Sequence, residues 1–331
     1  MPLDWSPFVT FVRRHDRFLL TTHVRPDGDG LGSLQALAEA LERLGKQVER
    51  VIPSRLPPRY DFLDPDRRIA VFAPPGERYH DCDAVIVLDT GTWNQLAGVA
   101  EFVRASPAEK VVIDHHRTQD DLGARRFVDI TAEATCRLAY EAIAALGVPL
   151  SPVTARDLFV ALAWDTGWFR HSNTTPATYT LAARLEAAGA DPTACYEELY
   201  ERNSLSSLQL RGRVLGRLRV LAQGRVAYTE VFLTDFRDTG AIPLDTEDLV
   251  NYPRSIAGAE VGLLFIEQAS GSVKVSFRSR RVDVARIAEQ FGGGGHRLAS
   301  GATLPGPMDA ARERVLAAVA AAVEALPAGG G

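Results

Sequence analysis

The first half of the chain alternates short apolar runs with stretches whose apolar residues recur at helical spacing. Apolar residues recur on one face between Leu34 and Leu44, and Gly45 follows them, which predicts an amphipathic helix that ends at a glycine. Continuous apolar runs predict strands that are buried on both faces. The predicted strands are residues 17–23, 47–53, 84–89 and 110–114, and further helices are predicted over residues 134–146 and 153–164. Strands that alternate with helices indicate a parallel sheet with covered faces.

The pattern changes after Gly189. A long helical stretch over residues 193–221 predicts a connector, and the chain beyond it is rich in strands. Strands are predicted over residues 225–231, 261–268 and 272–278, followed by a helix over residues 284–291 and a packed, alanine-rich helix over residues 315–326. We therefore predict an N-terminal α/β domain over residues 1–190, a helical linker over residues 191–223 and a smaller α/β domain over residues 224–331.

Composition narrows the kind of ligand that the chain is expected to bind. Its 331 residues carry a formal net charge of −5. Proteins that hold long nucleic acid non-specifically usually have a basic surface that neutralises phosphates, so a small or short anionic substrate in one focused pocket fits better. The three cysteines lie far apart and form neither a disulfide framework nor a zinc spacing, which favours a reducing compartment. We expect a cytoplasmic protein without a membrane-spanning segment.

Asp and His residues stand where four of the predicted apolar elements end. The glycines at positions 28, 30 and 32 predict a tight turn after the first strand. Because ligand sites in open parallel sheets form outside the carboxyl ends of the strands, we expect the acidic and imidazole side chains to converge at one edge. These side chains are His23, Asp27, Asp29, Asp89, Asp114, His115, His116 and Asp165.

Such a cluster has an electrostatic consequence. Neighbouring carboxylates raise one another's pKa values unless cations cancel their charge. Imidazole and carboxylate ligands without thiolate suit ions like Mn(II) or Mg(II) better than structural zinc. Two such ions, roughly 3.5–4 Å apart, can share a bridging water and clamp a phosphoryl group for in-line attack. A single Asp after a strand is often only a helix N-cap, but the four motifs together favour a dinuclear metal centre.

A second motif lies near the C-terminus, where a run of four glycines precedes His296. The backbone N–H groups of a glycine run can converge on an anion, and His296 with a nearby arginine could add charge-assisted hydrogen bonds to phosphate. Basic residues, beginning with Arg278, also end the preceding predicted strand. The alternative is a flexible glycine turn beside a solvated basic loop, and the residues by themselves leave both interpretations open.

The ordered set of motifs resembles the DHH phosphoesterases that carry a C-terminal DHHA-type domain, and within that family the NrnA group. The resemblance runs across nearly the whole chain. It rests on His23-x-x-x-Asp27-Gly-Asp29-x-x-Gly32-Ser33, Asp89-Thr-Gly91, Asp114-His115-His116, Asp165-Thr-Gly167 and Gly292-Gly-Gly-Gly-His296-x-x-Ala299-Ser-Gly301. It implies an α/β fold in which a parallel-sheet catalytic domain is joined by a helical linker to a smaller α/β domain, with the active site in the cleft between them.

The resemblance also implies two divalent cations, with Mn(II) as the expected ion and Mg(II) as the alternative. By position, His23 and Asp27 would bind one ion and Asp89 would bridge both. The remaining ligands of the second ion would be Asp29, His115 and Asp165. The catalytic residues would be Asp89, Asp114, His115 and His116, where Asp114 and His116 orient ligands and His116 could also act on the leaving group or the scissile phosphate. The expected substrate contacts are Arg278, Ser279, Gly294, Gly295, His296, Asn251 and Arg254, with Arg170 and Asn173 as weaker candidates.

The implied activity is hydrolysis of short oligoribonucleotides and dinucleotides to mononucleotides. Cyclic di-AMP and 3′-phosphoadenosine 5′-phosphate (pAp) are further candidate substrates. A RecJ-like single-strand exonuclease is one alternative. Such enzymes tend to need extra binding domains and basic channels, which we do not expect in a short chain with a net negative charge. A family II pyrophosphatase or an exopolyphosphatase is a second alternative enzyme. A nucleotide sensor that binds without catalysis is the alternative outside the enzymes. The resemblance leaves a homodimer open, and no obligate protein partner is evident.

Overall fold

The computed structural model describes residues 3–325, and the chain divides into two compact units with a boundary between residues 202 and 203. The N-terminal unit contains a parallel sheet and the C-terminal unit contains a mixed sheet. The boundary falls inside the segment predicted as a linker, residues 191–223.

The prediction of one continuous helix over residues 193–221 is wrong. An α-helix over Pro192–Tyr196 passes into a π-helical turn over Glu197–Glu201, a second α-helix covers Leu205–Gly216, and Arg219–Leu221 forms a strand. The hydroxyl of Ser204 accepts a hydrogen bond from the backbone N–H of Ser207 at 3.0 Å and caps the second helix. A cap of this kind restarts a helix without disturbing the spacing of the apolar residues, so periodicity alone does not reveal the break.

Six strands form the sheet of the N-terminal unit. They are β1 (Arg17–Thr21), β2 (Gln47–Ile52), β3 (Ile69–Val71), β4 (Ala84–Leu88), β5 (Glu109–Asp114) and β6 (Arg125–Val128). Every neighbouring pair is parallel, in the order β3-β2-β1-β4-β5-β6, which confirms the predicted parallel sheet. The edge strands β3 and β6 have only three and four residues, too few for a periodic signal. The order reverses between β1 and β4, and sheets of this kind bind ligands outside the carboxyl ends of the strands at such a point.

Helices cover both faces of this sheet. They are α1 (Ser6–Arg14), α2 (Gly28–Arg43), α3 (Trp93–Leu96), α4 (Val99–Ala105), α5 (Thr135–Ala145), α6 (Pro152–Asp165), α7 (Pro176–Ala187) and α8 (Pro192–Tyr196), with 3-10 turns at Pro58–Leu63 and Glu77–Tyr79. Leu20 and Ile86 pack in the core that includes α1, α2, α5 and α6, whereas Leu19 and Val85 pack in the core that includes α3 and α4. Successive residues of a strand point to opposite faces, so burial on both faces explains the continuous apolar runs.

Helix α2 begins where the sequence predicts a tight turn, so that prediction is wrong. The carboxylate of Asp27 accepts hydrogen bonds from the backbone N–H groups of Asp29 and Gly30, at 3.0 and 3.2 Å, and makes Asp27 the N-cap of α2. A Cβ atom at residue 32 would lie 2.3 Å from the carbonyl oxygen of Asp157 in α6. Gly32 therefore serves the close packing of α2 against α6 rather than a turn.

The C-terminal unit is a mixed sheet covered by helices. Its strands are β7 (Arg219–Leu221), β8 (Val226–Val231), β9 (Val261–Glu267), β10 (Ser272–Ser279), β11 (Gly294–His296) and β12 (Ala299–Pro305), and its helices are α9 (Leu205–Gly216), α10 (Leu233–Thr239), α11 (Asn251–Ser255), α12 (Val284–Glu289) and α13 (Met308–Glu324), with a 3-10 turn at Pro243–Thr246. The strand order is β11-β12-β10-β9-β8-β7, in which β8 and β9 are parallel and the other pairs antiparallel. This arrangement confirms a smaller α/β domain.

The glycine run begins in a turn at Gly292 and continues into a strand. Its last two residues and His296 form β11, the edge strand that pairs with β12. Strand β12 escapes the sequence analysis because it contains serine, glycine and proline, which are poor strand formers. Gly292 and Gly295 have φ angles of 72° and 139°, a region that other residues rarely adopt.

Helix α13 confirms the predicted packed helix, with Val315, Val319 and Val323 buried against the sheet. Residues 326–331, the end of the predicted C-terminal domain, lie outside the described residues. Within residues 3–325, no helix is both long enough and apolar enough to cross a membrane.

Candidate metal centre

Six predicted ligands converge at the edge of the sheet where its strand order reverses. Residues after β1, β4 and β5 supply His23, Asp89 and His115. The start of α2 adds Asp27 and Asp29, and the last residue of α6 adds Asp165. These six side chains fall into two groups, and within each group the possible ligand atoms lie within 4.8 Å of one another. The first group is His23, Asp27 and Asp89, and the second is Asp29, His115 and Asp165.

The first group surrounds the side chain of His23. Its Nε2 atom lies 3.6 Å from Oδ1 of Asp27 and 3.4 Å from Oδ2 of Asp89. The Nδ1 atom lies 3.1 Å from the carbonyl oxygen of Val24. A carbonyl oxygen only accepts, so Nδ1 carries a proton, and an imidazole that has released its Nε2 proton presents the Nε2 lone pair to the group. This is the tautomer that a metal-binding histidine needs.

The second group repeats this arrangement around His115. Its Nε2 atom lies 3.3 Å from Oδ2 of Asp165 and 3.9 Å from Oδ2 of Asp29. Its Nδ1 atom donates to the carbonyl oxygen of Ala132 at 3.2 Å, which again directs Nε2 toward the carboxylates. Two imidazoles are thus oriented in the same way toward two separate sets of carboxylate oxygens.

Asp89 stands between the two groups. Its Oδ2 atom faces His23, and its Oδ1 atom lies 3.7 Å from Nε2 of His115. The side chain is 3% exposed, and the backbone adopts a φ of 61°, in the left-handed region. Such backbone strain in a residue other than glycine is often retained at functional sites. The geometry gives each oxygen of one carboxylate a different imidazole.

Asp114 and His116 lie beside these groups. The Oδ1 atom of Asp114, which is fully buried, accepts hydrogen bonds from the backbone N–H and from Nδ1 of His116, at 3.1 and 2.8 Å. Nδ1 of His116 also lies 3.6 Å from Oδ1 of Asp89, so Asp89, His115 and His116 form a third possible group of ligands. Because Asp114 already holds that Nδ1–H, His116 is a poor ligand through this nitrogen, and its ring is about half exposed.

The crowding of carboxylates changes their protonation. Burial raises the pKa of Asp165 to about 8, and repulsion from Asp89 and Asp27 adds to the rise. Burial also raises the pKa of Asp29 well above its ordinary value, again with help from Asp89 and Asp165. Burial alone would lower the pKa of His23, but the carboxylates of Asp27 and Asp89 outweigh it and raise this pKa to about 11. Protons therefore balance the charge of the site, and divalent cations would displace them.

The space between the ligands fits an ion. A Cβ atom at residue 30 would lie 3.2 Å from Nε2 of His23 and 3.3 Å from Oδ2 of Asp89, so only glycine keeps this space open. Within the described residues, Oγ1 of Thr22 is buried without a hydrogen-bond partner, and it would lie 2.4 Å from the same Cβ atom. Burial raises the pKa of the neighbouring Cys136 thiol far above its ordinary value, so it offers no thiolate. Oxygen and imidazole ligands of this kind suit Mn(II) or Mg(II).

Two residues that contact this site are absent from the sequence predictions. Gln119 donates from Nε2 to Oδ2 of Asp114, and Thr135 donates from Oγ1 to Oδ1 of Asp89 at 2.9 Å. Neither stands in a motif with a recognisable spacing. The only sequence signal for Thr135 is its place at the start of a predicted helix, where threonine is ordinary.

The weaker candidates follow Asp165 in the chain. Asn173 donates from Nδ2 to the carbonyl oxygens of Glu133 and Asp165, at 2.9 and 3.2 Å. Its amide therefore ties the end of α6 to the segment before α5. Arg170 lies on the exposed side of the same loop, and its predicted contact with substrate stays a prediction.

The predicted substrate residues form a row across one end of the C-terminal sheet. Arg278 of β10 pairs in register with Gly262 of β9 and Ala299 of β12, and His296 of β11 pairs with Ala299 from the other side. A Cβ atom at residue 262 would lie 2.4 Å from the backbone nitrogen of Arg254, so α11 packs directly on this row. The predicted set of Asn251, Arg254, Arg278, Ser279, Gly294, Gly295 and His296 thus falls on α11 and on strands β10 and β11, which lie on either side of β12.

Within this row, the Arg278 side chain is half-buried and the Ser279 side chain is buried. Burial lowers the pKa of the Arg278 guanidinium, and nearby Arg254 lowers it further while Asp248 raises it. Within the described residues, Oγ of Ser279 is buried without a hydrogen-bond partner. Because successive residues of a strand point to opposite faces, these two side chains lie on different faces of β10, and their joint contact with one phosphate stays a prediction.

Both halves of the chain match known domain families. Residues 17–161 match the DHH family, N-terminal domain, and residues 223–325 match the DHHA1 domain. A protein from Thermus thermophilus named bifunctional oligoribonuclease and PAP phosphatase NrnA is 35% identical over 309 residues, which cover 91% of this chain and 88% of that protein.

Two solved structures extend the comparison. An exopolyphosphatase-related protein from Bacteroides fragilis has a TM-score of 0.89 at 26% identity, with 97% of this chain and 95% of that chain covered. RecJ from Thermus thermophilus, in complex with Mn²⁺, has a TM-score of 0.55 at 17% identity, with 99% of this chain and 56% of that chain covered. The likeness to RecJ is one of fold alone.

We predict that Gly30→Ala removes metal binding at the first group, because the added methyl group occupies the space beside His23 and Asp89. Isothermal titration with Mn(II) should detect a reduced number of bound ions. Gly212→Ala is the matched control, since a Cβ atom there meets nothing within 4 Å and helix α9 should gain about 0.5–1 kcal/mol. Unchanged Mn(II) affinity and stoichiometry in folded Gly30→Ala would contradict the prediction.

We also predict that the chelator-treated protein loses stability as the pH rises. The folded-state pKa values are about 8 for Asp165, about 9 for His116 and about 11 for His23, above the ordinary values of 3.8, 6.5 and 6.5. A raised pKa means that the folded state binds the proton more tightly, so this stability is present at low pH and is lost as the pH rises through the folded-state pKa.

Urea unfolding at several pH values between about 5 and 9 tests this expectation, because that window contains the His116 shift and the upper part of the Asp165 shift. Asp165→Asn should flatten the dependence, and saturating Mn(II) should oppose it because cations replace the protons. A free energy of unfolding that increases with pH in the chelator-treated protein would show that the carboxylate cluster is not protonated as described.

Proposed function

On the premise that the chain belongs to the DHH family of phosphoesterases and carries a C-terminal DHHA1 domain, we propose that it hydrolyses short oligoribonucleotides and dinucleotides to mononucleotides. The observation that carries this proposal is the pair of three-residue groups with Asp89 between them. The name of the Thermus thermophilus relative supports the same substrate class, and it adds pAp as a second substrate.

The proposed metal centre uses the six converging side chains. His23 and Asp27 would hold one ion, and Asp89 would contribute one oxygen to each ion. Asp29, His115 and Asp165 would complete the second ion. Mn(II) is the proposed cation, with Mg(II) as the alternative, because the ligands are oxygen and imidazole atoms without thiolate.

Two bound cations supply charge neutralisation and an activated water for attack on phosphorus. The residues of the chain orient and complete that chemistry. Asp114 holds His116 through its Nδ1–H, which leaves Nε2 for the substrate. From this position His116 can donate a hydrogen bond to a phosphate oxygen or a proton to the leaving oxygen. We assign this role to His116 and not that of a ligand.

The C-terminal row is proposed to bind the phosphate or base of the substrate. Arg278 offers a half-buried guanidinium, and Ser279 offers a hydroxyl group that has no partner within the described residues. Arg254 and Asn251 on α11 would add contacts to the same substrate group. Gly294 and Gly295 would let the substrate approach the backbone beside His296, since neither glycine carries a side chain on the exposed edge strand.

The alternative activities differ in their substrates. A RecJ-like exonuclease is disfavoured, because a net charge of −5 does not suit a surface that holds long single strands. Hydrolysis of cyclic di-AMP or of pyrophosphate would use the same metal centre, so these activities are tested beside the proposed one. A non-catalytic sensor is disfavoured because all six proposed ligands are present and converge.

The experiment that tests this function is a product time course with Mn(II) or Mg(II). Substrates are the linear dinucleotide pApA, a 5′-labelled ribo-oligonucleotide ladder, pAp, cyclic di-AMP, pyrophosphate and long single-stranded DNA. We expect rapid release of mononucleotides from the shortest RNAs and slower release as length increases. Rapid processive digestion of long strands would favour the exonuclease, and binding of pApA without product would favour the sensor.

Asp89→Asn tests the proposed bridge. Asparagine has the shape of aspartate and tolerates the φ of 61°, so the backbone should be preserved. Its neutral amide cannot offer a charged oxygen to each of two cations, so turnover of pApA should fall on the order of 100-fold or more. Asp81→Asn, a change of the same type on an exposed loop, should have normal turnover. Normal turnover in metal-loaded Asp89→Asn would refute the bridging role.

Arg278→Ala tests the proposed substrate row. Loss of a hydrogen bond to a charged group should cost about 1.5–3 kcal/mol of binding, and we expect KM for pApA to rise by about 10–100-fold while kcat changes little. The control is Arg286→Ala, which removes an exposed arginine of the same domain. A fall in kcat at constant KM would mean that Arg278 acts in the chemical step instead.

A further inference from the structure

The N-terminus of helix α5 lies against two of the proposed metal ligands. Ala134, at its N-cap, has no side chain that can cap the helix. Asp29 of α2 takes this place, because its carboxylate accepts the backbone N–H groups of Thr135 and Cys136 at 2.6 and 3.0 Å. The unpaired N–H groups and the positive end of the helix dipole thus face a buried carboxylate.

Thr135 makes a further contact through its side chain. Its hydroxyl group donates to Oδ1 of Asp89 at 2.9 Å, and the residue is fully buried. This Oδ1 atom is the one on the side of His115, while Oδ2 faces His23. One residue therefore holds Asp29 by its backbone and Asp89 by its hydroxyl group.

We propose that Thr135 is a positioning residue that fixes the side-chain orientation of Asp89, so that each carboxylate oxygen faces a different ion. The inference rests on the ion assignment of the proposed function. A carboxylate that bridges two sites must keep its plane aligned with both of them, and rotation by a few tens of degrees would remove one oxygen from its ion. A buried hydroxyl donor on one oxygen restricts this rotation.

The position of Thr135 in the fold makes the restraint firm. The backbone N–H bond to Asp29 sets the first turn of α5, and the Nδ2 group of Asn173 ties the preceding Glu133 to the carbonyl oxygen of Asp165. Side chains that orient ligands in this way typically change metal affinity by about 10–100-fold when they are replaced. Thr135 does not touch the reacting phosphate in this proposal.

The test compares Thr135→Val, which keeps the side-chain shape and loses the hydroxyl group, with Thr135→Ser, which keeps the hydroxyl group. The matched control is Thr154→Val, because Thr154 is also buried in the first turn of a helix and donates to a carboxylate, Oε2 of Glu39 at 2.8 Å, that belongs to neither metal group. Mn(II) binding without substrate is measured by calorimetry, and the spin coupling of an Mn(II) pair is measured by electron paramagnetic resonance.

We expect Thr135→Val to bind one of the two Mn(II) ions about 10–100-fold more weakly than the wild type does. The paramagnetic resonance signal of the coupled Mn(II) pair should then be lost. Thr135→Ser should restore both, and Thr154→Val should match the wild type in both even if its stability falls. If Thr135→Val does not fold, Thr135→Ala takes its place in the same comparison.

Equal Mn(II) affinity and an intact coupled-pair signal in Thr135→Val would overturn the positioning role. Failure of Thr135→Ser to restore binding would also overturn it, because the effect would then not depend on the hydroxyl group. A wild-type protein that binds fewer than two Mn(II) ions would overturn the metal assignment of the proposed function and this inference with it. A two-ion wild type with an unaffected Thr135→Val would overturn this inference alone.

Discussion

The repulsion between buried carboxylates is the constraint on which the structure of the N-terminal unit depends. Asp27, Asp29, Asp89 and Asp165 are brought together at one edge of a parallel sheet, where burial and the repulsion from neighbouring carboxylates raise the pKa values of Asp29 and Asp165. A folded chain can hold such a cluster only if protons or cations compensate the charge. The two imidazoles face the cluster with their Nε2 atoms, which is the arrangement that cations can use.

The N-termini of helices α2 and α5 hold these side chains in position. Helix α2 starts on the Asp27 carboxylate, helix α5 starts on the Asp29 carboxylate, and the hydroxyl group of Thr135 reaches Asp89. Helix N-termini present N–H groups and a positive dipole, so each of these contacts also reduces the repulsion. The same contacts that stabilise the helix ends therefore orient the ligands, and Gly30 leaves the space that an ion needs.

The C-terminal unit contributes a different kind of chemistry. Its row of Arg254, Arg278 and His296 comes from one helix and two strands that converge at one end of a mixed sheet, and it contains no cluster of carboxylates. Cationic and hydroxyl groups of this kind suit phosphate oxygens rather than metal ions. The N-terminal unit therefore gathers acidic side chains at its site, and the C-terminal row gathers basic ones.

The parallel sheet, the smaller α/β domain and the cluster of Asp and His side chains follow from the sequence, because buried strands leave continuous apolar runs and because Asp and His at strand ends meet at one edge. The choice of six ligands within that cluster follows from the family resemblance. The sequence pattern misassigned residues 28–32 as a turn and residues 193–221 as one helix, since apolar spacing does not report N-caps or helix–helix packing distances. Three contacts became visible only in the folded chain: Asp89 lies between two imidazoles, Asp114 accepts a hydrogen bond from Nδ1 of His116, and the hydroxyl group of Thr135 donates to Asp89. These contacts join residues that are far apart in the chain or depend on side-chain orientation, and neither leaves a periodic pattern in the sequence.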